Sequence, residues 1–197
     1  MGFLPVKTIV SSRQRYPCIK KVCLIVIFLF FLLQSKVFAE KVPEYQLKAT
    51  FLVNFLDFTK WPSNKRDNKT ICVLGRNPFK NHLKELASFA RNSQEVIIKH
   101  VATLNDSLDC HILYVSRSET NHLNKILKKV ESRPLLTVSD INRFAANSGM
   151  IEIASKSSKT KLIINLNAVR LAGIELSSNL IDLAQVVGDQ HNGGAGK

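Results

Sequence analysis

Residues 134–153, PLLTVSDINRFAANSGMIEI, change hydrophobic period twice, and that restricts the folds open to the chain more than any other stretch. Leu135 to Val138 form a short apolar, β-branched run, the pattern of a strand buried on both faces. Ser139 and Asp140 are N-cap residues, whose side chains accept the free N–H groups that open a helical turn. Ile141, Phe144 and Ala145 are spaced to cover one face of a short helix. Gly149 is placed to stop that helix in a left-handed conformation. Met150, Ile151 and Ile153 begin another strand, with Glu152 on the opposite face from Ile151 and Ile153. Strand, capped turn, glycine stop and strand make a core unit of an α/β fold, with no catalytic motif in it.

The rest of the chain repeats the alternation. Residues 44–61 carry Tyr45, Ala49, Leu52, Phe55 and Phe58 at steps of three and four, which predicts an amphipathic helix ended by Pro62. Its polar face is assigned Lys48, Asn54, Asp57 and Lys60, without the basic bias of a membrane-surface helix, so docking on a sheet is expected. Residues 70–74, 95–101 and 110–115 read as strands, and 78–90 and 119–130 as helices. Residues 150–154 and 161–166 are close enough to form an antiparallel hairpin. A short helix from Asn167 to Gly173 follows, then a final helix carrying Leu180, Ile181, Leu183, Ala184 and Val187. With no internal repeat or linker, the expectation is an α/β fold over residues 40–190. It is a single three-layer domain with a central mixed, mostly parallel sheet of about five to six strands. Helices flank the sheet, an antiparallel hairpin lies near the C-terminus, and residues 191–197 form a flexible tail.

Residues 1–39 read as targeting rather than as part of the fold. Residues 1–21 hold Lys7, Arg13, Arg15, Lys20 and Lys21 and no acid, and residues 22–33 are an unbroken apolar run. Val37-Phe38-Ala39 then supplies a cleavage site, so residues 1–39 read as a cleavable secretion signal. The apolar run is well short of the ~20 residues a membrane-spanning helix needs. Removing the signal takes away six of the 28 basic residues and leaves 15 acidic ones, a charge of +7. The remaining positive charge is scattered, without the basic, aromatic-interleaved patch that nucleic acid requires. The same cut removes Cys18 and Cys23 and leaves Cys72 and Cys110. Export favours a disulfide between them; two buried thiols in neighbouring strands is the alternative.

No motif carries chemistry. Gly75 lies between a strand and a helix but lacks the further glycines or the Gly-Lys pair of a phosphate loop, so it reads as a turn. His82, His100, His111, His122 and His191 show no metal-ligand spacing. Ser139–Asp140 have neither a nucleophile-elbow pattern nor a histidine nearby, which leaves capping as their role. The reading assigns no catalytic, cofactor-binding or metal residues and is of a protein that is not an enzyme.

Five segments taken together resemble the YfiR family of bacterial periplasmic proteins. They are EYQLKATFLVNFLDFTKWP (44–62), ICVLGRNPF (71–79), CHILYVS (110–116), LLTVSDINRFAANSGMIEI (135–153) and INLNAVRLAGIELSSNLIDLA (164–184). The resemblance implies a periplasmic repressor that contacts the periplasmic sensor domain of an inner-membrane diguanylate cyclase, lowering cyclic di-GMP signalling and biofilm formation. It also implies sequestration by an outer-membrane lipoprotein, is compatible with a homodimer, and places Cys72 and Cys110 where the family has a disulfide. A second disulfide carried by some relatives has no counterpart here. A binding role requires exposed apolar surface with a polar rim. Ser139, Phe144 and Glu152 are the interface candidates, because the short helix after LTVSD is too brief to hide every side chain; a plain core position is the alternative for Phe144. A second reading, from a different class, is a periplasmic small-ligand-binding or sensory module with its ligand at the C-terminal edge of the sheet.

Overall fold

The computed structural model describes residues 43–62, 68–89, 95–107, 109–156 and 159–188. The expected secretion signal and the tail from 191 lie outside the described residues. The described chain opens with α1 (Glu44–Phe55), then β1 (Thr59–Lys60), β2 (Lys69–Leu74), α2 (His82–Phe89) and β3 (Val96–Val101). β4 (Ile112–Val115), a 3₁₀ turn (Arg117–His122), α3 (Leu123–Val130) and β5 (Leu136–Ser139) follow. The hairpin β6 (Ile151–Lys156) and β7 (Lys159–Asn165) leads to α4 (Leu166–Leu171), β8 (Glu175–Leu176), α5 (Ser178–Asp182) and β9 (Ala184–Val187).

Seven strands form one sheet in the order β3-β2-β4-β5-β6-β7-β9. Every neighbouring pair is parallel except β6–β7, so the expected mixed, mostly parallel sheet with a C-terminal hairpin is what forms. The central strands are buried on both faces, and the period of two divides their side chains between two cores. Ile112 and Tyr114 of β4 join Ala49, Leu52 and Phe55 of α1 on one face. Leu113 and Val115 join Leu123, Ile126, Leu127 and Val130 of α3 on the other.

Cys72 and Cys110 are disulfide-bonded, with Cα atoms 5.9 Å apart. Both are fully buried on the α3 face, so the bond ties the middle of β2 to the approach to β4.

Three elements depart from the sequence expectation. α1 stops at Phe55 rather than Trp61, because Thr59 and Lys60 pair antiparallel with Leu176 and Glu175. The final helix stops at Asp182, and residues 184–187 become a seventh strand on the open edge of β7, from Leu162↔Ala184 to Asn165↔Val187. There the ladder satisfies backbone groups that a longer exposed helix would have satisfied internally, and tertiary pairing overrides the helical spacing. Residues 142–148 form turns and not a helix.

The disulfide closes a separation of 38 residues. Thiol titration of the denatured, unreduced protein should find neither Cys72 nor Cys110 reactive. Replacing both by Ala should lower stability in urea by about 3–4 kcal/mol.

Candidate functional site

The turn that leaves β5 is held from every side. Ser139 is fully buried; its hydroxyl donates to the Val115 carbonyl at 2.7 Å and accepts the Ile141 N–H at 3.0 Å, the capping role expected of it. Beyond it, Arg143 (φ 62°) and Ser148 (φ 73°) adopt left-handed backbone conformations, each costing an L-residue on the order of 1–2 kcal/mol. The cost is met by specific supports. The Glu152 carboxylate accepts the N–H groups of Arg143 and Ala145, both at 3.2 Å. The Asn165 amide donates to the Ala145 carbonyl at 2.8 Å, and its oxygen caps α4 by accepting the Ala168 N–H at 3.1 Å. Asn147 N–H donates back to the Arg143 carbonyl at 2.9 Å, and Met150 N–H to the Thr137 hydroxyl at 3.1 Å.

Gly149 is required here for space. Its φ is not positive; the left-handed residue is the preceding Ser148. A Cβ on Gly149 would lie 2.2 Å from the Phe144 ring, so the fully buried Phe144 occupies the room a side chain would take.

Ser139 and Glu152 are therefore not on the surface as expected, and Phe144 takes its alternative, core position: the three are 0%, 4% and 0% exposed. The stretch is too short for a helix, but as a turn it wraps over Phe144 and inserts it into the α3-side core. The side chains left outside are those of Asn142, Arg143, Ala146, Asn147 and Ser148. Asn165 was missed by the sequence reading, although an asparagine directly before a helical run is an N-cap signal.

The turn is rooted in a buried charge. Asp140, next after β5, is 4% exposed, and Lys48 of α1 is fully buried. Lys48 Nζ lies 2.6 Å from Asp140 Oδ2, donates also to Glu44 one helical turn earlier, and sits 4.5 Å over the Tyr45 ring. The Tyr114 hydroxyl donates to Asp140 Oδ1 at 2.8 Å and the Tyr45 hydroxyl to Oδ2 at 3.2 Å. Arg117 Nε, on an exposed side chain, completes the set 3.1 Å from Oδ2. The assignment of Lys48 to the polar face of α1 is thus corrected, since it points inward with Ala49 and Leu52 because Asp140 waits there. Burial, then the Asp140 charge, holds the Tyr114 hydroxyl far above the ordinary tyrosine range. The same two causes raise Tyr45. The hydrogen bond from Lys48 lowers Glu44.

The crevice at the ends of β2 and β4, where strand order reverses, is the usual ligand position in such sheets. Here a Cβ on Gly75 would meet the Ser118 hydroxyl at 2.4 Å and Glu119 at 2.6 Å, and Arg76 N–H is spent on Ser118 Oγ at 2.9 Å. Ser118 and Glu119 thus close directly against Gly75. Among the described residues there is no cluster of three or more metal-ligating side chains, and no helix is long and apolar enough to cross a membrane.

Comparison with known families decides the kinship, because the YfiR/HmsC-like family model matches residues 45–185. The chain belongs to the YfiR/HmsC-like family. That family is one of periplasmic regulators, and its match spans both cores, the disulfide, Asp140 and the 142–148 turn. No curated protein sequence matches the chain. Two solved structures share the fold at a TM-score of 0.50: a conserved domain protein from Vibrio cholerae at 10% identity, and an ABC domain in complex with L-Trp from Streptococcus pneumonia at 12%. Each likeness covers 73% of this chain, which spans 60% of the other.

Two measurements test the ionic root. Lys48→Met leaves Asp140 buried without its ammonium and should cost about 3 kcal/mol or more in urea denaturation, part of which Asp140→Asn added to it recovers. Because the folded Tyr114 pKa lies above its unfolded value of 10.0, the stability this implies is fully present below pH 10 and is lost as pH rises beyond it. The protein should therefore weaken above pH 10, with phenolate absorbance from Tyr114 appearing only on unfolding, and Tyr114→Phe should flatten that alkaline loss.

Proposed function

We propose that this family member is a periplasmic regulatory binding protein that restrains an inner-membrane diguanylate cyclase by contacting the cyclase's periplasmic sensor domain. The lowered cyclic di-GMP would suppress biofilm formation, and an outer-membrane lipoprotein would compete for the same regulator. Support comes from the family match and, within the chain, from one observation. The 142–148 turn spends free energy on two left-handed residues while its supports Glu152 and Phe144 are buried and Asn165 bonds its Ala145 carbonyl. Strain of that kind gathers at functional surfaces. A turn ordered before it binds loses little conformational entropy on binding, which favours affinity.

On this reading Asn142, Arg143, Ala146 and Asn147 meet the partner. Ser139, Phe144 and Glu152 act one layer below, as the residues that set the shape of the contact surface. The disulfide and the Lys48–Asp140 root keep the two flanking layers in register with that surface.

The test joins binding and signalling. The protein should co-purify with the sensor domain of a cyclase encoded beside it, and deletion of its gene should raise cellular cyclic di-GMP. Asn142→Arg combined with Asn147→Arg should weaken binding about tenfold, roughly 1.4 kcal/mol, at an unchanged thermal midpoint. Unaltered binding by that variant sinks the turn as contact surface. Unaltered cyclic di-GMP on deletion sinks the cyclase reading.

A further inference from the structure

On the α3 side, between the last turn of α3 and the start of α4, the chain forms a half-open cavity of about 230 Å³. Its floor is apolar, made by Leu127 and Val130 of α3, Met150 ahead of β6, and Ala168 and Leu171 of α4. Set into it is the hydroxyl of Thr137, 1% exposed, whose oxygen accepts the Met150 N–H and whose proton has no acceptor among the described residues. The wall carries three left-handed residues, Ser132 (φ 59°), Ser148 (φ 73°) and Gly188 (φ 75°). Such conformations persist where the surroundings enforce them, ligand clamps among them.

The charge of the cavity has one sign. Glu131 is the only charged side chain among its lining residues. It directly follows α3, at the end where helix carbonyls lack intrahelical partners and the dipole is negative. Lys128 borders an adjoining hollow together with Glu131, yet no ion pair to Glu131 forms among the described residues. A carboxylate beside helix carbonyls attracts a cation. An apolar floor attracts hydrocarbon, and a volume below the ~300–1,000 Å³ of drug-sized sites admits only a small molecule.

We propose that this cavity binds a small protonated amine with a compact apolar body. The ammonium group sits at Glu131 and the carbonyl end of α3, and the apolar body lies over Leu127, Met150, Ala168 and Leu171. The site does not depend on the cyclase reading, so the failure of either leaves the other standing.

Isothermal titration of the purified protein with 2-phenylethylamine, 2-phenylethanol and 3-phenylpropionate separates charge from shape. The amine should bind at least about tenfold more tightly than the alcohol, and the carboxylate more weakly than both. Glu131→Gln should bring the amine down to the level of the alcohol without changing the alcohol. Ala168→Phe, which fills the cavity from a half-buried position, should abolish binding of both. Equal affinity for the three probes overturns the charge assignment. Absence of amine binding to the native protein, or full binding by a folded Ala168→Phe variant, overturns the site.

Discussion

A carboxylate removed from water must be neutralised where it lies, and Asp140 makes that demand at the centre of this fold. Its oxygens collect donors from α1, from β4 and from the 3₁₀ turn that leads into α3. Each donor fixes the position of its element. Lys48 sets the rotation of α1, since turning the helix by one residue would carry the ammonium some 100° away. Tyr114 is held with its ring against Phe79, at 4.7 Å between centroids, which links the charge to the α1-side core. Such a pair is weak evidence for stability, because apolar residues of similar volume often serve as well. Here, what it supplies is uniqueness: Ala49, Leu52 and Phe55 alone would tolerate small rotations of α1, and a buried ion pair does not.

That root explains why the following turn holds a strained shape. Ser139 and Asp140 are adjacent, and they anchor the chain to opposite sides of the sheet. Ser139 bonds to the neighbouring strand and caps the turn, while Asp140 reaches toward α1. The chain therefore enters the turn in a fixed direction. Glu152 and Asn165, from the next two strands, receive it by binding its amides and a carbonyl. Phe144 and Gly149 fit only as a pair, ring against bare Cα. Four contacts from three strands thus specify a segment that contains no regular secondary structure.

Much of the architecture was legible in the sequence because it rests on period. The buried strands are continuous apolar runs, and α3 shows its inward face at Leu123, Ile126, Leu127 and Val130. The hairpin follows from the short spacing of two such runs, and the disulfide agrees with both export and kinship. The failures occurred where a distant partner decided the outcome. Ala184 to Val187 have spacing compatible with a helix and become a strand because β7 offers an open edge. Lys48 reads as a solvent-facing residue until Asp140, far along the chain, is placed beneath it. The candidate site failed in the same way. Ser139, Phe144 and Glu152 lie on the inner side of their stretch, because a turn of this length folds over its one large apolar residue.

Ser148 belongs both to the turn and to the wall of the cavity, so the two proposed sites would meet at this residue. A molecule in the cavity changes the turn only by the difference in its affinity for two arrangements of Ser148. Whatever factor it imposes on partner binding, the partner imposes on it in return. The hydrogen bonds of Glu152 hold the Arg143–Ala145 limb, whose own residues do not line the cavity, whereas Asn165, which bonds the Ala145 carbonyl, does line it. The limb from Asn147 to Gly149 meets the cavity through Ser148 alone. Its left-handed residue carries the strain, and strain released or reinforced there is the physical quantity through which occupancy and docking would be linked.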